Sequence, residues 1–164
     1  MRLIHWRSSA RLGEFKVREL EVTTGGEEII ICLDILFDWE AESFEKAVSA
    51  AASLYFYALR AQINVKLWTV QTGILNSKTI LLDALAGIQP TTTIENPSPV
   101  PKSALLWLTQ NPAMIESLVD RRRWIYFAPE DGDLYQSVSR QGLTVNSVDP
   151  LQMQLQKSVL SQTT

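Results

Sequence analysis

Asp34 closes the apolar run Ile29 to Leu33, and it is followed by Leu36, Asp38, Glu40 and Glu42 at two-residue steps. Carboxylates in that arrangement at the end of a strand are the oxygen ligands a hard divalent cation takes. The same residues also suit an acidic loop that favours the positive end of a following helix. Asp131, in Pro129-Glu130-Asp131-Gly132-Asp133, ends a second apolar run and is the natural addition to such a set, with plain turn chemistry as the competing account. His5 is the only histidine. A Ser/His/Asp system would have to recruit it from the start of the chain, and no G-x-S-x-G elbow accompanies it. Cys32 lies in mid-run with neither a base nor a cation near it in sequence, which describes an inert core thiol. Thr24-Gly25-Gly26 is too short for a phosphate-binding glycine fingerprint and precedes the first central strand instead of following it. Two basic groups remain: Arg121 to Arg123, and Arg7, Arg11, Lys16 and Arg18 around Trp6 and Phe15. The first fits either phosphates, an acidic partner or a solvated helix end; Glu14, Glu19 and Glu21 dilute the second. No nucleophile and base can be paired from these residues, so the expectation is that the chain is not an enzyme.

Composition sets the frame for those candidates. The chain has 164 residues, 46% of them hydrophobic, with 15 basic against 18 acidic side chains for a formal net charge of -3. That is the profile of one globular α/β-sized domain able to build its own core. A slightly acidic balance argues against a general nucleic-acid binder. One cysteine leaves no intramolecular disulfide and no cysteine-rich metal site, which suits a reducing compartment, and a cytoplasmic location is expected. Charged or polar residues interrupt every stretch that approaches the roughly 18 apolar residues of a membrane span. The first residues lack the apolar core and cleavage site of a secretory signal.

The elements that must position the candidates follow from periodicity. Glu14 to Val22 alternates and reads as an extended arm that ends at Thr23-Thr24-Gly25-Gly26. Ile29 to Ile35 reads as a strand buried on both faces. Ser43 is the expected N-cap of an amphipathic helix reaching about Ala61, whose alanines permit close approach to a sheet. Asn64 to Val70 is a second strand, Gly73 a turn, and Ile74-Leu75 a short hairpin return. Lys78 or Thr79 opens a helix over Ile80 to Ile88 that Pro90 terminates. Thr91 to Pro101 is an irregular loop. Helices are expected at Lys102 to Thr109, Ala113 to Asp120 and Asp133 to Gln141, with strands at Trp124 to Ala128 and Leu143 to Val148. Leu151, Met153, Leu155 and Leu160 are spaced for a frayed helix. Alternation of this kind predicts an α/β fold with a mostly parallel sheet and helices on both faces. Ligands in such sheets sit at the carboxyl ends of the strands, which directs attention to Leu36 to Glu42, Gly73 to Thr79 and Pro129 to Asp133.

The segment Ile4-His5-Trp6-Arg7-Ser8-Ser9-Ala10-Arg11, followed by Val17-Arg18-Glu19 and a strand ending in Leu33-Asp34, resembles the signature of the bacterial family called domain of unknown function 58. The residues that carry the likeness are His5, Trp6, Ser9, Arg11, Arg18 and Glu19. The resemblance implies a von Willebrand factor A-like (Rossmann-like) domain at residues 27–150, preceded by an arm at 1–26 and followed by a flexible or frayed tail at 151–164. It also implies a non-enzymatic role in binding a protein partner, with a MoxR-type AAA+ ATPase or an envelope-associated assembly as the expected one. A von Willebrand A metal site resembles D-x-S-x-S on one loop, a threonine on a second and an aspartate on a third. Asp34, Asp38, Thr79 and Asp131 are the residues here that such a set would use, but Leu36 and Asp38 stand where the serines would be. Leucine cannot coordinate a cation, so a degenerate site is expected, without a resident cofactor and without tight magnesium binding; a divalent-metal-dependent adhesion-type domain is the alternative. Relatives carry membrane helices ahead of this motif, so the resemblance suggests the C-terminal part of a longer architecture.

Overall fold

In a computed structural model of the chain, the described residues are 28–118, 123–130, 142–146 and 149–160. Ten elements follow in the order β1 (Ile29–Leu33), α1 (Ala41–Arg60), β2 (Val65–Thr69), β3 (Gly73–Leu75), α2 (Lys78–Gly87), β4 (Ala104–Thr109), α3 (Pro112–Ser117), β5 (Arg123–Phe127), β6 (Gly142–Val145) and α4 (Leu151–Leu160). The six strands form one sheet in the order β3-β2-β1-β4-β5-β6. All neighbours pair parallel except β2 and β3, which are antiparallel. The α/β class and the mostly parallel sheet are therefore as the alternation of elements predicts, and the arrangement is compatible with a Rossmann-like fold.

Strand side chains alternate between two cores. Ile31, Leu33, Leu67, Leu108, Ile125, Phe127 and Val145 face one side, where they meet Ala47, Ala50, Ala51 and Ala58 of α1 and Leu81 and Leu85 of α2. The alanines let α1 lie close to the sheet. On the other side Ile30, Cys32, Trp68, Leu105, Trp107, Trp124 and Tyr126 pack with Ile115 of α3. Helices therefore cover both faces. The strand register sets Trp68, Cys32, Trp107 and Trp124 in one row across four strands, with Gly142 of β6 at its end. The indole of Trp124 lies over Gly142, where a Cβ would overlap the ring. That close approach leaves no room for a side chain at residue 142.

One expected element is different in kind. Lys102 to Thr109 is not a helix, because Ala104 to Thr109 forms β4, the strand between β1 and β5. A six-residue apolar run buried on both faces has no period that separates strand from helix, and tertiary pairing outweighs the helical preference of its three leucines. Ser43 is not the N-cap of α1 either: Glu40 is, and Ser43 is buried in the first turn. Asn111 does cap α3, accepting from the Ala113 N–H, with Pro112 in the first turn where its missing donor costs nothing. The expected helix at Asp133 to Gln141 lies outside the described residues.

Candidate functional site

A strand order in which β2 lies on one side of β1 and β4 on the other opens a crevice at the carboxyl ends of β1 and β4, where the two connections diverge. Asp34 sits there, immediately after β1 and 4% exposed. Thr109, the last residue of β4, is its neighbour on the same face of the sheet. The Thr109 hydroxyl donates to Asp34 Oδ2 at 2.7 Å, and the Leu36 N–H donates to Oδ1 at 3.1 Å. Both carboxylate oxygens are thus engaged within the chain. Burial pushes the Asp34 carboxyl above its ordinary value, and the bonds from Thr109 and Leu36 oppose that rise. Trp39, buried against Phe44 and Phe127, closes the loop by donating its indole N–H to the Asp34 carbonyl at 2.8 Å. Thr109 accepts in turn from the Asn111 N–H at 2.9 Å. These contacts tie the loop after β1 to the loop after β4.

Gln110 comes next in the chain and is also 4% exposed. Its Oε1 accepts from the Glu40 N–H at 2.8 Å, which fixes the orientation of the amide, and its Nε2 is buried with no hydrogen-bond partner. Glu40 Oε2 accepts from the Ser43 hydroxyl at 2.9 Å and the Glu130 N–H at 3.1 Å, so this carboxylate joins the start of α1 to the segment after β5. Glu42 pairs with Lys46 at 2.7 Å, which holds its carboxyl below the usual range. Glu130 is raised by the charges of Glu42 and then Glu40, and it shares a side-chain hydrogen bond with Glu42. The rim of the crevice therefore carries three carboxylates in mutual contact range, at the end of a helix where negative charge is favourable.

The remaining sequence candidates are placed as follows. Asp38 is exposed in the loop between β1 and α1. Thr79 is exposed in the first turn of α2. Because β3 runs antiparallel to β2, the segment that follows it starts at the amino end of the parallel strands, so Thr79 is not brought to Asp34. The threonine that reaches the first loop is Thr91, after α2: its N–H donates to the Ile35 carbonyl at 2.8 Å and it forms a parallel bridge with Leu36. Asp131 and the signature residues His5, Trp6, Ser9, Arg11, Arg18 and Glu19 lie outside the described residues, as do Thr24 to Gly26, Arg121 and Arg122. Cys32 is fully buried in mid-strand. Among the described residues no three histidines, cysteines or carboxylates are grouped so as to hold a metal ion, and no helix is long and apolar enough to cross a membrane.

Thr109 and Gln110 are the residues that sequence reasoning missed; Glu130 lies in the loop Pro129 to Asp133 that it pointed to, without being singled out. The signal for the first two was the polar pair Thr-Gln ending an apolar run before Asn-Pro, legible only once that run is read as a strand. Comparison of the chain with family models, with curated proteins and with solved structures finds no match.

Proposed function

We propose that the chain is a non-enzymatic protein-interaction domain of von Willebrand A-like fold that works with a MoxR-type AAA+ ATPase or an envelope-associated assembly. What supports this reading is the state of Asp34. It follows β1 at the switch point, where the resemblance sets the first aspartate of a ligand-binding loop, yet both its oxygens are held by Thr109 and Leu36. A buried carboxylate with both oxygens hydrogen-bonded inside the chain has to give up those bonds before it can coordinate a cation. What that end of the sheet presents to a visitor is the rim of Glu40, Glu42 and Glu130, which recognises by charge and carries no nucleophile. Such a rim suits docking.

Co-purification tests the reading. The tagged chain, mixed with a MoxR-type ATPase, is expected to retain the ATPase in at least one nucleotide state. Absence of enrichment both with and without nucleotide contradicts the proposed partner.

A further inference from the structure

α1 and α4 pack on the same side of the sheet, over the core that holds Ile31, Leu33 and Val145. α1 covers β1, β2, β4 and β5, while α4 covers β6, where the buried Gln154 amide ties its first turn to the Asn146 and Asp149 carbonyls. A groove of about 790 Å³ opens between the two helices, within the size range of small-molecule sites. Its floor is Leu54, Leu151 and Leu155, half-buried side chains that rest on the sheet core. Residues 151 and 155, four apart on α4, share one face, and Gln152 and Gln156 share the face beside it, so leucines line the bottom and amides one wall. The opposite wall carries Tyr57, 60% exposed, whose ring the fold leaves to solvent. Arg60, the last α1 residue to border the groove, brings its one charge. Among the described residues the ion pairs join Glu42 to Lys46 and Glu28 to Lys66, and Arg60 is in neither. The last turn of α1 offsets only about half a charge, so the groove is positive at that end.

We propose that this groove binds a single-chain aliphatic carboxylate, with its chain on Leu54, Leu151 and Leu155 beside Tyr57 and its carboxylate on the Arg60 guanidinium. An apolar floor with a lone cation at one end is complementary to an amphiphile with an anionic head. The chain gains from apolar area removed from water, and the guanidinium offers paired donors to a carboxylate. Gln152 and Gln156 add neutral donors and no opposing charge. A protein partner is a poorer fit, since a stable interface engages about 20–30 residues a side and eight border this groove. A cationic amphiphile meets Arg60 with like charge. The groove shares no residue with Asp34 or the acidic rim, so this site stands or falls apart from the partner proposed above.

Titration of the ¹⁵N-labelled full chain with decanoate, followed by nuclear magnetic resonance, tests this, with decanamide and decyltrimethylammonium as neutral and cationic comparisons. Decanoate is expected to shift the backbone amides of Ser53 to Arg60 and of Leu151 to Gln156 saturably, decanamide to bind more weakly and the cation most weakly. Arg60→Gln is expected to weaken decanoate binding about threefold and to leave decanamide binding unchanged. Ser53→Trp, at an exposed position bordering the groove, is expected to fill it and abolish binding while keeping the circular dichroism of the parent. Equal affinity for the cation, shifts spread over the whole chain, or decanoate binding unchanged in either variant overturns the site. Movement of the same amides when the chain alone is concentrated, with no further shift on adding decanoate, means that a second copy fills the groove and overturns it as well.

Discussion

The two ends of the sheet are built to different rules. At the amino end one carboxylate, Glu28, is met by Lys66 at 2.7 Å and by Asn64 and Ser103 at 3.4 Å, so charge and partner balance. At the carboxyl end Asp34, Thr109, Leu36 and Asn111 hydrogen-bond to one another in the interior, while carboxylates gather on the rim just outside. Among the described residues, Glu40, Glu42 and Glu130 stand with one ammonium, that of Lys46, and Gln110 Nε2 is buried without a hydrogen-bond partner. The chain-wide excess of acid over base is small, so the imbalance at the rim is a matter of placement and not of composition. The contrast separates polar groups bonded to one another inside the fold from charged groups gathered at its surface.

The largest effect that can break this contrast is removal of the latch. Asp34→Ala strands the buried Thr109 hydroxyl and frees the part-buried Leu36 N–H, and a loss of about 2 kcal/mol or more is expected, read as a lower urea midpoint with an unchanged slope. Retained stability would mean that Asp34 is not structural. Thr109→Val removes one donor and one acceptor while conserving volume, and a loss of about 2 kcal/mol is expected by the same measurement. The pH dependence is subtler. Since the folded-state value of Asp34 lies above its unfolded one, the folded chain binds the extra proton between the two. The stabilising contribution is full below the unfolded value and is lost as pH rises through the folded one. Denaturation of Asp34→Asn across that interval is expected to lack this fall; an identical pH profile in parent and variant would exclude the raised value. At the amino end Glu28→Gln is expected to change stability by no more than about 1 kcal/mol, as befits a half-exposed pair. Smallest of all, millimolar magnesium or manganese is expected to release no binding heat in calorimetry. A saturable signal would show that a cation displaces Thr109 from Asp34.

Much of this architecture can be read from the residues, and the failures have identifiable causes. β1, β2, β5 and the twenty-residue α1 announce themselves by β-branched runs or by apolar steps of three and four. β4 does not, because Leu105-Leu106-Trp107-Leu108 is apolar on every face and carries no period. That one misreading hides Thr109 and Gln110, since a residue at a strand's carboxyl end is conspicuous only when the strand is seen. It thereby hides the group that meets Asp34 from the next strand, the Thr109 hydroxyl. Thr79 is misplaced for another reason: a three-residue strand gives no sign of its direction, and β3 reverses the chain. Gln154 is a third case. In Leu-Gln-Met-Gln-Leu-Gln it looks like surface filler, yet it is buried, accepts from the Asn146 N–H at 2.9 Å and donates to the Asn146 and Asp149 carbonyls. It pins the start of α4 to the end of β6, a role set by three backbone groups and by no pattern in the sequence.

The central claim is that the carboxylate at the switch point is spent on joining β1 to β4 and is not held in reserve for a ligand. A double-mutant cycle on Asp34→Ala and Thr109→Val, followed by urea denaturation, measures that directly. A coupling of about 1–2 kcal/mol is expected, the double variant losing clearly less than the two single variants together. Additivity to within about 0.3 kcal/mol would contradict it.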